Sequence, residues 1–135
     1  MNCISSKKYL LDKPESQESF PFGDDIPVFK VKNKVFAILG VKEGIGQLNL
    51  KCDPDEALSL RDIFEAVIPG YHMNKKHWNT IILNGSIPPG EIERMIDNSY
   101  SLVVKGLKKL ERQGLELKYG QDVLYPEKSG TQGTA

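Results

Sequence analysis

Mostly apolar residues of the β-forming type fill two neighbouring stretches, residues 26–31 and 34–39, and the polar pair Lys32-Asn33 separates them. Two such runs on both sides of a short turn predict a β-hairpin. Residues 40–46 are glycine-rich and are predicted to form a flexible turn. Residues 47–51 then form a third β-type run, so this part of the chain predicts three strands.

The first strand also predicts how its side chains divide between two faces. Val28 and Lys30 fall on one face, while Phe29 and Val31 fall on the other. An aromatic pair around a proline, within residues 20–23, precedes this strand. We expect that pair to anchor a loop to the core.

Helical signals flank the strands. Residues 3–12 suit a short first helix, and Asp53-Pro54 predicts the start of a second, because aspartate caps helices and proline tolerates their first position. This second helix is expected to run to about Ala66. Apolar residues recur at helical spacing between residues 92 and 110, which predicts a long helix packed along the sheet. Gly114 is expected to end that helix or a continuation of it.

The predicted order is one helix, three strands, a helix, two strands and a helix. Short hairpin connections imply an antiparallel sheet with the helices as a second layer. The fold class is therefore an α+β two-layer sandwich with a five-stranded sheet. Residues 1–112 are assigned to a single domain and residues 113–135 to a C-terminal extension, whose last residues, 129–135, are expected to be disordered.

The most unusual chemistry lies in residues 68–83, which hold the only tryptophan, both histidines and two adjacent lysines. No acidic residue occurs between residues 68 and 90. Residues 78–83 have a strand pattern that stops at Asn84-Gly85. Residues 74–77 then form the tip between two extended segments, which predicts a β-hairpin with a basic, amphipathic tip.

This tip supports two interpretations. In the first, Lys75 and Lys76 contact phosphates, while aromatic side chains such as Tyr71, His77 and Trp78 stack on a sugar or base or shape the tip. In the second, the turn is merely solvated and Trp78 is buried beneath it. Both interpretations remain open from the sequence.

A second candidate basic group consists of Lys30, Lys32, Lys34 and Lys51. If one face of the sheet collects Lys30 and Lys51 with the tip lysines, a positive stripe results. The alternative is that they are ordinary solvent-face lysines, which also discourage aggregation through strand edges.

Composition limits these possibilities. The 135 residues are enough for one domain, and the 18 basic and 18 acidic residues give a net charge of zero. Neutrality makes tight, salt-resistant binding to nucleic acid unexpected. The chain has no apolar run of about 18 residues and no apolar core of a signal peptide near its start. With only two cysteines, we expect a cytoplasmic protein without a disulfide framework and without a membrane partner.

Motifs of catalysis and cofactor binding are missing from the sequence. Residues 44–46 are not a phosphate-binding loop, because no Gly-Lys-Ser/Thr follows and the next segment is a strand. Of Cys52, His72 and His77, only the two histidines have a zinc-like spacing, and a hairpin places them on opposite sides of its tip. We therefore expect no enzyme activity, no catalytic residues, no metal and no cofactor.

Several ordered motifs resemble the MmcQ/YjbR family of small bacterial proteins, and the resemblance runs from the first helix to about Leu110. These motifs are Phe20-Pro21-Phe22-Gly23, residues 27–31, residues 49–54, residues 69–80 and residues 96–103. The resemblance implies a secretion-chaperone-like α/β sandwich. It also implies DNA binding through hairpins that act as paired wings.

The leading hypothesis is a non-enzymatic module that binds DNA weakly and mostly without sequence preference through the basic tip. The alternative is a chaperone-like module that binds a protein or peptide, which predicts an exposed apolar strip beside the sheet or a dimer interface. The sequence leaves the oligomeric state open. The residues assigned to nucleic-acid binding are Lys75, Lys76, His77, Trp78 and Tyr71, with Lys30 and Lys51 in support.

Overall fold

The computed structural model describes residues 1–70 and 74–126, and within them the chain forms five helices and six strands. The helices are α1 (Cys3–Leu11), α2 (Pro54–Ile63), α3 (Pro89–Lys105), α4 (Lys109–Tyr119) and α5 (Gln121–Leu124). The strands are β1 (Gln17–Ser19), β2 (Val28–Val31), β3 (Lys34–Lys42), β4 (Ile45–Lys51), β5 (Val67–Pro69) and β6 (Trp78–Ile82).

The six strands form one open antiparallel sheet in the order β1-β2-β3-β4-β6-β5. Helix α3 packs across β2, β3 and β4, which confirms the α+β fold with a helical layer on the sheet. The sheet has one strand more than the five predicted. That strand is β1, whose polar residues carry little strand propensity and whose pairing with β2 forms it at the sheet edge.

The register separates two faces of the sheet, and the predicted division of β2 is confirmed. Phe29 and Val31 lie in the core, while Val28 and Lys30 lie on the opposite face. One row of the core face consists of Phe29, Ala37, Leu50 and Asn79, all of them buried. We call the face away from the core the open face; its matching row consists of Val28, Ile38, Asn49, Thr80 and Ile68.

Helix α2 begins as predicted, because the Asp53 carboxylate accepts hydrogen bonds from the backbone N–H groups of Asp55 (3.1 Å) and Glu56 (3.3 Å). The helix ends at Ile63 rather than Ala66, since the chain turns there to form β5. β5 and β6 then pair as the two arms of the predicted second hairpin.

The C-terminal part of the chain is more helical than predicted. Helix α3 ends at Lys105, where the Gly106 N–H bonds back to the last turn, and Gly114 lies inside α4 instead of ending a helix. Leu115 and Leu124 are fully buried in the same core as the sheet. The core therefore continues beyond the predicted division at residue 112.

Two predictions about loops were wrong. Phe20 and Phe22 are 43% and 67% exposed, so the aromatic pair does not anchor its loop in the core. The predicted flexible turn is mostly strand, because β3 continues through Gly40 to Lys42. The turn itself is Glu43-Gly44, whose φ values of 53° and 79° both lie in the left-handed region.

A buried ion pair fastens the end of α1 to α3. The Lys13 amine contacts the Asp97 carboxylate, which also accepts a hydrogen bond from the Tyr9 hydroxyl at 2.8 Å. The same amine lies 5.2 Å from the Tyr9 ring centroid and 5.6 Å from that of Tyr100. Burial, together with the Asp97 hydrogen bond, raises the pKa of Tyr9, so its hydroxyl keeps the proton that it donates.

Candidate functional site

The chain enters β6 through a tight turn, residues 74–77, which we call the tip. The Asn74 side chain accepts a hydrogen bond from the Lys76 N–H (3.0 Å), and its backbone carbonyl accepts one from the His77 N–H (3.1 Å). Asparagine commonly closes turns in this way. Lys75 and Lys76 are exposed on this turn.

An arginine from α2 holds the tip from behind. The Arg61 guanidinium donates hydrogen bonds to the backbone carbonyls of Lys75 and Trp78, the latter at 3.4 Å. Its Nε donates to the Asn79 side chain at 2.7 Å. A planar guanidinium with several donors suits this task, because it satisfies three acceptors at once.

The end of β4 supports the other side of the tip. The Cys52 N–H donates to the His77 carbonyl at 2.7 Å. The Cys52 thiol is buried and donates to the Glu56 carboxylate at 3.6 Å, a carboxylate that also accepts from Asn98 at 3.3 Å. Burial first, and then the nearby charge of Glu56, raises the pKa of the Cys52 thiol to about 12.

Close backbone packing joins the two strands beneath the tip. The Gly70 N–H donates to the Trp78 carbonyl at 2.8 Å. A β-carbon at residue 70 would lie 2.8 Å from the Trp78 β-carbon and 2.9 Å from its carbonyl oxygen. Only glycine fits this approach without movement of β6.

Lys51 and Lys30 occupy the open face, with β3 between their strands. Lys51 lies opposite Trp78 in the register, and its N–H donates to the Ser99 hydroxyl at 2.9 Å. That hydroxyl donates to the Phe36 carbonyl at 2.6 Å, so α3 bridges β3 and β4 there. The shared face agrees with the stripe interpretation, but the contribution of either lysine to binding stays a prediction.

The two aromatic residues of the tip that the structure describes, His77 and Trp78, are both partly exposed. Trp78 lies on the open face beside Lys51 and is not fully buried. Tyr71, the third predicted aromatic contact, lies outside the described residues.

Acidic residues lie near the tip and reduce its positive charge. Asp53, Asp55 and Glu56 form the start of α2 immediately after Cys52, which bonds to His77. The tip is therefore a small basic surface with an acidic border.

A groove of about 850 Å³ occupies another part of the open face, above β2, β3 and β4. Its floor is mainly aliphatic, and its wall is the loop that carries the exposed Phe22. Lys30 and Lys42 are its two cationic residues. The lining residues are Pro21, Phe22, Ile26, Val28, Lys30, Val35, Ile38, Gly40, Val41, Lys42, Gln47 and Asn49.

Arg61 and the groove are the two features that sequence reasoning missed. Arg61 has the pattern of a solvent-facing helix residue, and only its contacts across 14 to 18 residues of chain reveal its role. The groove is lined by residues of the loop before β2 and of three strands, and no local signal in the sequence brings these residues together.

Within residues 1–70 and 74–126, no group of three or more His, Cys, Asp or Glu side chains is placed to hold a metal ion. His72, one of the three candidate ligands, is outside these ranges. None of the helices in the same ranges combines the length and apolar character needed to cross a membrane.

The chain is similar to several known proteins. A family model described as YjbR matches residues 11–102. The uncharacterised protein YbdF of Escherichia coli O157:H7 is 35% identical over 109 residues, which cover 81% of this chain and 89% of YbdF. The uncharacterised protein YjbR of Escherichia coli K12 is 32% identical over 106 residues, which cover 78% and 90% of the two chains.

Solved structures share the fold. The Deinococcus radiodurans protein DR2400, described by the domain name DUF419, superposes with a TM-score of 0.80 at 33% identity and covers 99% of this chain and 97% of its own. A Pseudomonas syringae protein, structural genomics target PsR293, has a TM-score of 0.66 at 30% identity and covers 76% and 98%.

Proposed function

The chain belongs to the YjbR family, and we propose that it is a non-enzymatic module whose basic tip binds nucleic acid through the phosphates. The observation that carries this proposal is a pair of adjacent exposed lysines on a turn whose backbone is held from two sides. Arg61 bonds to the carbonyls of Lys75 and Trp78, and the Cys52 N–H bonds to that of His77. A turn held in this way loses little backbone entropy when its lysines meet a phosphate.

The charge distribution supports weak binding. The net charge is zero, and the acidic first turn of α2 lies beside the tip. Affinity for nucleic acid depends mainly on how many phosphates the protein neutralises. Lys75 and Lys76, with Lys51 on the adjoining open face, provide about three such contacts.

The same residues support binding without sequence preference. Lysine contacts to phosphates position a protein on nucleic acid but carry no base information. The partly exposed Trp78 ring offers a stacking surface that every base can use. We therefore expect single strands to bind at least as well as duplexes.

Fluorescence anisotropy of labelled duplex and single-stranded DNA, titrated at several salt concentrations, tests the proposal. The variant is Lys75→Ala/Lys76→Ala in the full chain. We expect it to bind more weakly, with a slope of log affinity against log salt that is shallower by about 2, as two lost phosphate contacts require. Trp78 is the only tryptophan, so quenching of its fluorescence reports whether DNA lies at the tip.

A matched control uses another adjacent lysine pair, Lys108 and Lys109, which is also exposed. The Lys108→Ala/Lys109→Ala variant removes the same charge from the start of α4, and its salt slope should equal that of the wild type. An equal loss of DNA affinity in the two variants would show that the charge acts without a defined position, and it would refute the tip as the binding site. The proposal also fails if the wild type does not bind more tightly than about 10⁻⁴ M at low salt.

A further inference from the structure

Helix α4 presents a second apolar face, away from the one that anchors it to the core. Leu115 is buried in the core cluster, whereas Leu110 and Leu117 are 83% and 89% exposed. No other large apolar side chain within residues 1–70 and 74–126 is as exposed as these two. Residues 127–135 contain no large apolar side chain to pack on them. Within the described residues, this face has no apolar cover from the chain itself.

The exposed face has a glycine between its two leucines. At 3.6 residues per turn, Leu110, Gly114 and Leu117 lie within an arc of about 60° on α4. No described atom lies within 4 Å of a β-carbon built on Gly114, which is also absent from the described glycines with positive φ. Glycine weakens a helix interior, yet neither crowding nor backbone geometry among the described residues requires it here. A glycine at this position lets a second helix approach α4 closely.

One border of this face carries opposite charges at its two ends. Glu111 lies near the start of α4 and Lys118 near its end, on the same side of the leucines. Glu111 forms no ion pair or side-chain hydrogen bond in the described part of the chain. Lys118 is 66% exposed and lies 3.6 Å from Glu15, and its ammonium group has further donors. The border is therefore complementary to a copy of itself that runs in the opposite direction.

We propose that α4 pairs with the α4 of a second copy of the chain in an antiparallel, twofold arrangement. Leu110 of each copy then packs beside Leu117 of the other, and the twofold axis passes close to Gly114. Glu111 of each copy lies beside Lys118 of the other, which gives two ion pairs. Antiparallel helices also oppose their dipoles. Both copies use the same surface, so the assembly closes as a dimer.

The size of the face limits the strength of this dimer. Helix α4 has 11 residues and is about 16 Å long. A standard protein interface takes about 20–30 residues from each partner. We therefore expect a reversible dimer with a Kd on the order of 10⁻⁴ M. The proposal uses no residue of the tip or of the groove, and it is independent of nucleic-acid binding.

Sedimentation equilibrium of the full chain, from about 10 µM to about 1 mM, tests the proposal. The wild type should fit a monomer–dimer equilibrium. Leu110→Gln/Leu117→Gln should raise the Kd by about tenfold or more, because it removes the apolar contact. The matched control, Ile4→Gln/Leu58→Gln, removes two apolar side chains that are 82% and 63% exposed on α1 and α2. This control should dimerise like the wild type, and circular dichroism checks that both variants fold.

A charge swap tests the direction of the second helix. Glu111→Lys places two lysines side by side at both ends of the interface and should raise the Kd by about tenfold at low salt. Adding Lys118→Glu to the same chain restores opposite charges in an antiparallel pair and should return the Kd to near the wild-type value. In a parallel pair this border would face the other border of α4, and the second substitution would not restore dimerisation.

Four results would overturn the proposal. One is a wild type that stays monomeric up to about 1 mM. Another is a mass that rises beyond that of a dimer, which would mean open-ended association. The third is an equal loss of dimer in the two glutamine double variants, which would mean that exposed apolar residues associate without a defined face. The fourth is a charge swap that dimerises no better than Glu111→Lys alone.

Discussion

The tip and the groove each depend on a glycine, and the two glycines have opposite surroundings. A β-carbon on Gly70 would collide with the backbone of Trp78, whereas a β-carbon on Gly40 would meet no described atom within 4 Å. The first glycine allows two strands to approach each other closely. The second leaves space above a strand.

This difference separates two ways in which one sheet can offer a binding surface. At the tip, hydrogen bonds from Arg61 and Cys52 hold the backbone, so that Lys75 and Lys76 project from a rigid turn. In the groove, the sheet supplies shape and apolar area, and the charges lie only at its ends. The tip thus presents charge on a held turn, whereas the groove presents a mainly apolar surface.

Replacing each glycine by alanine tests this comparison most strongly, because the two effects should have opposite signs. Gly70→Ala forces β6 to move and should lower the free energy of unfolding by about 2–3 kcal/mol. Gly40→Ala restricts the unfolded chain and causes no strain in the folded protein. It should therefore raise the free energy of unfolding by about 0.4–1 kcal/mol. Urea denaturation measures both.

The two alanine variants control for each other, since glycine-to-alanine changes act similarly on the unfolded chain. The difference between the two changes in the free energy of unfolding therefore reports only the surroundings of each glycine in the folded protein. A Gly40→Ala variant that is destabilised as much as Gly70→Ala would mean that the space above β3 is filled in solution, and the groove would not be a vacant site.

Much of the fold followed from local signals. The Lys32-Asn33 turn and the Asp53 cap lie where the sequence predicted them, because both depend on neighbouring residues only. Strand β1 was missed because its polar residues acquire a strand conformation through pairing with β2. The break at Gly106 was missed because apolar residues keep their helical spacing on both of its sides.

Less of the candidate sites could be predicted. The tip lysines and Trp78 were recognised by their composition, but Arg61 gains its role only when α2 packs behind the tip. Gly40 was assigned to a flexible turn, since a glycine-rich sequence does not distinguish a loop from a strand that leaves room above itself. Contacts between residues far apart in the chain decide both cases.

Variants of Arg61 test whether the backbone of the tip is held by α2. Arg61→Ala removes the hydrogen bonds to Lys75, Trp78 and Asn79 and should lower the free energy of unfolding by about 2 kcal/mol, the typical effect for bonds to a charged group. Arg61→Lys keeps the charge but not the planar set of donors, and it should recover less than half of the loss. Urea denaturation of both variants measures this.

The control for Arg61 is Arg94→Ala, which removes a partly exposed arginine whose contact with Glu91 is 3.5 Å long. Such surface pairs contribute about 0–1 kcal/mol. If Arg61→Ala and Arg94→Ala lower the free energy of unfolding equally, α2 does not hold the tip. The description of the tip as a rigid turn would then be wrong.

A pH-dependent effect is expected from the buried support of the tip at Cys52, and it is small near neutral pH. Its folded pKa of about 12 lies above the ordinary thiol value of about 8.5, so the unfolded chain loses this proton first as pH rises. The stability from the protonated thiol is thus complete below about pH 8.5 and is lost between that pH and about 12. The loss cannot exceed about 1.4 kcal/mol per pH unit.

Cys52→Ala isolates this contribution, because Tyr9, Tyr100 and Tyr125, whose pKa values are also raised, titrate alike in both proteins. Urea denaturation at neutral and alkaline pH should show a steeper decline for the wild type than for Cys52→Ala. Parallel declines would mean that the thiol ionises as easily in the folded protein as in the unfolded chain. The end of β4 would then be open to solvent beneath the tip, and Cys52 would not be part of a rigid support for Lys75 and Lys76.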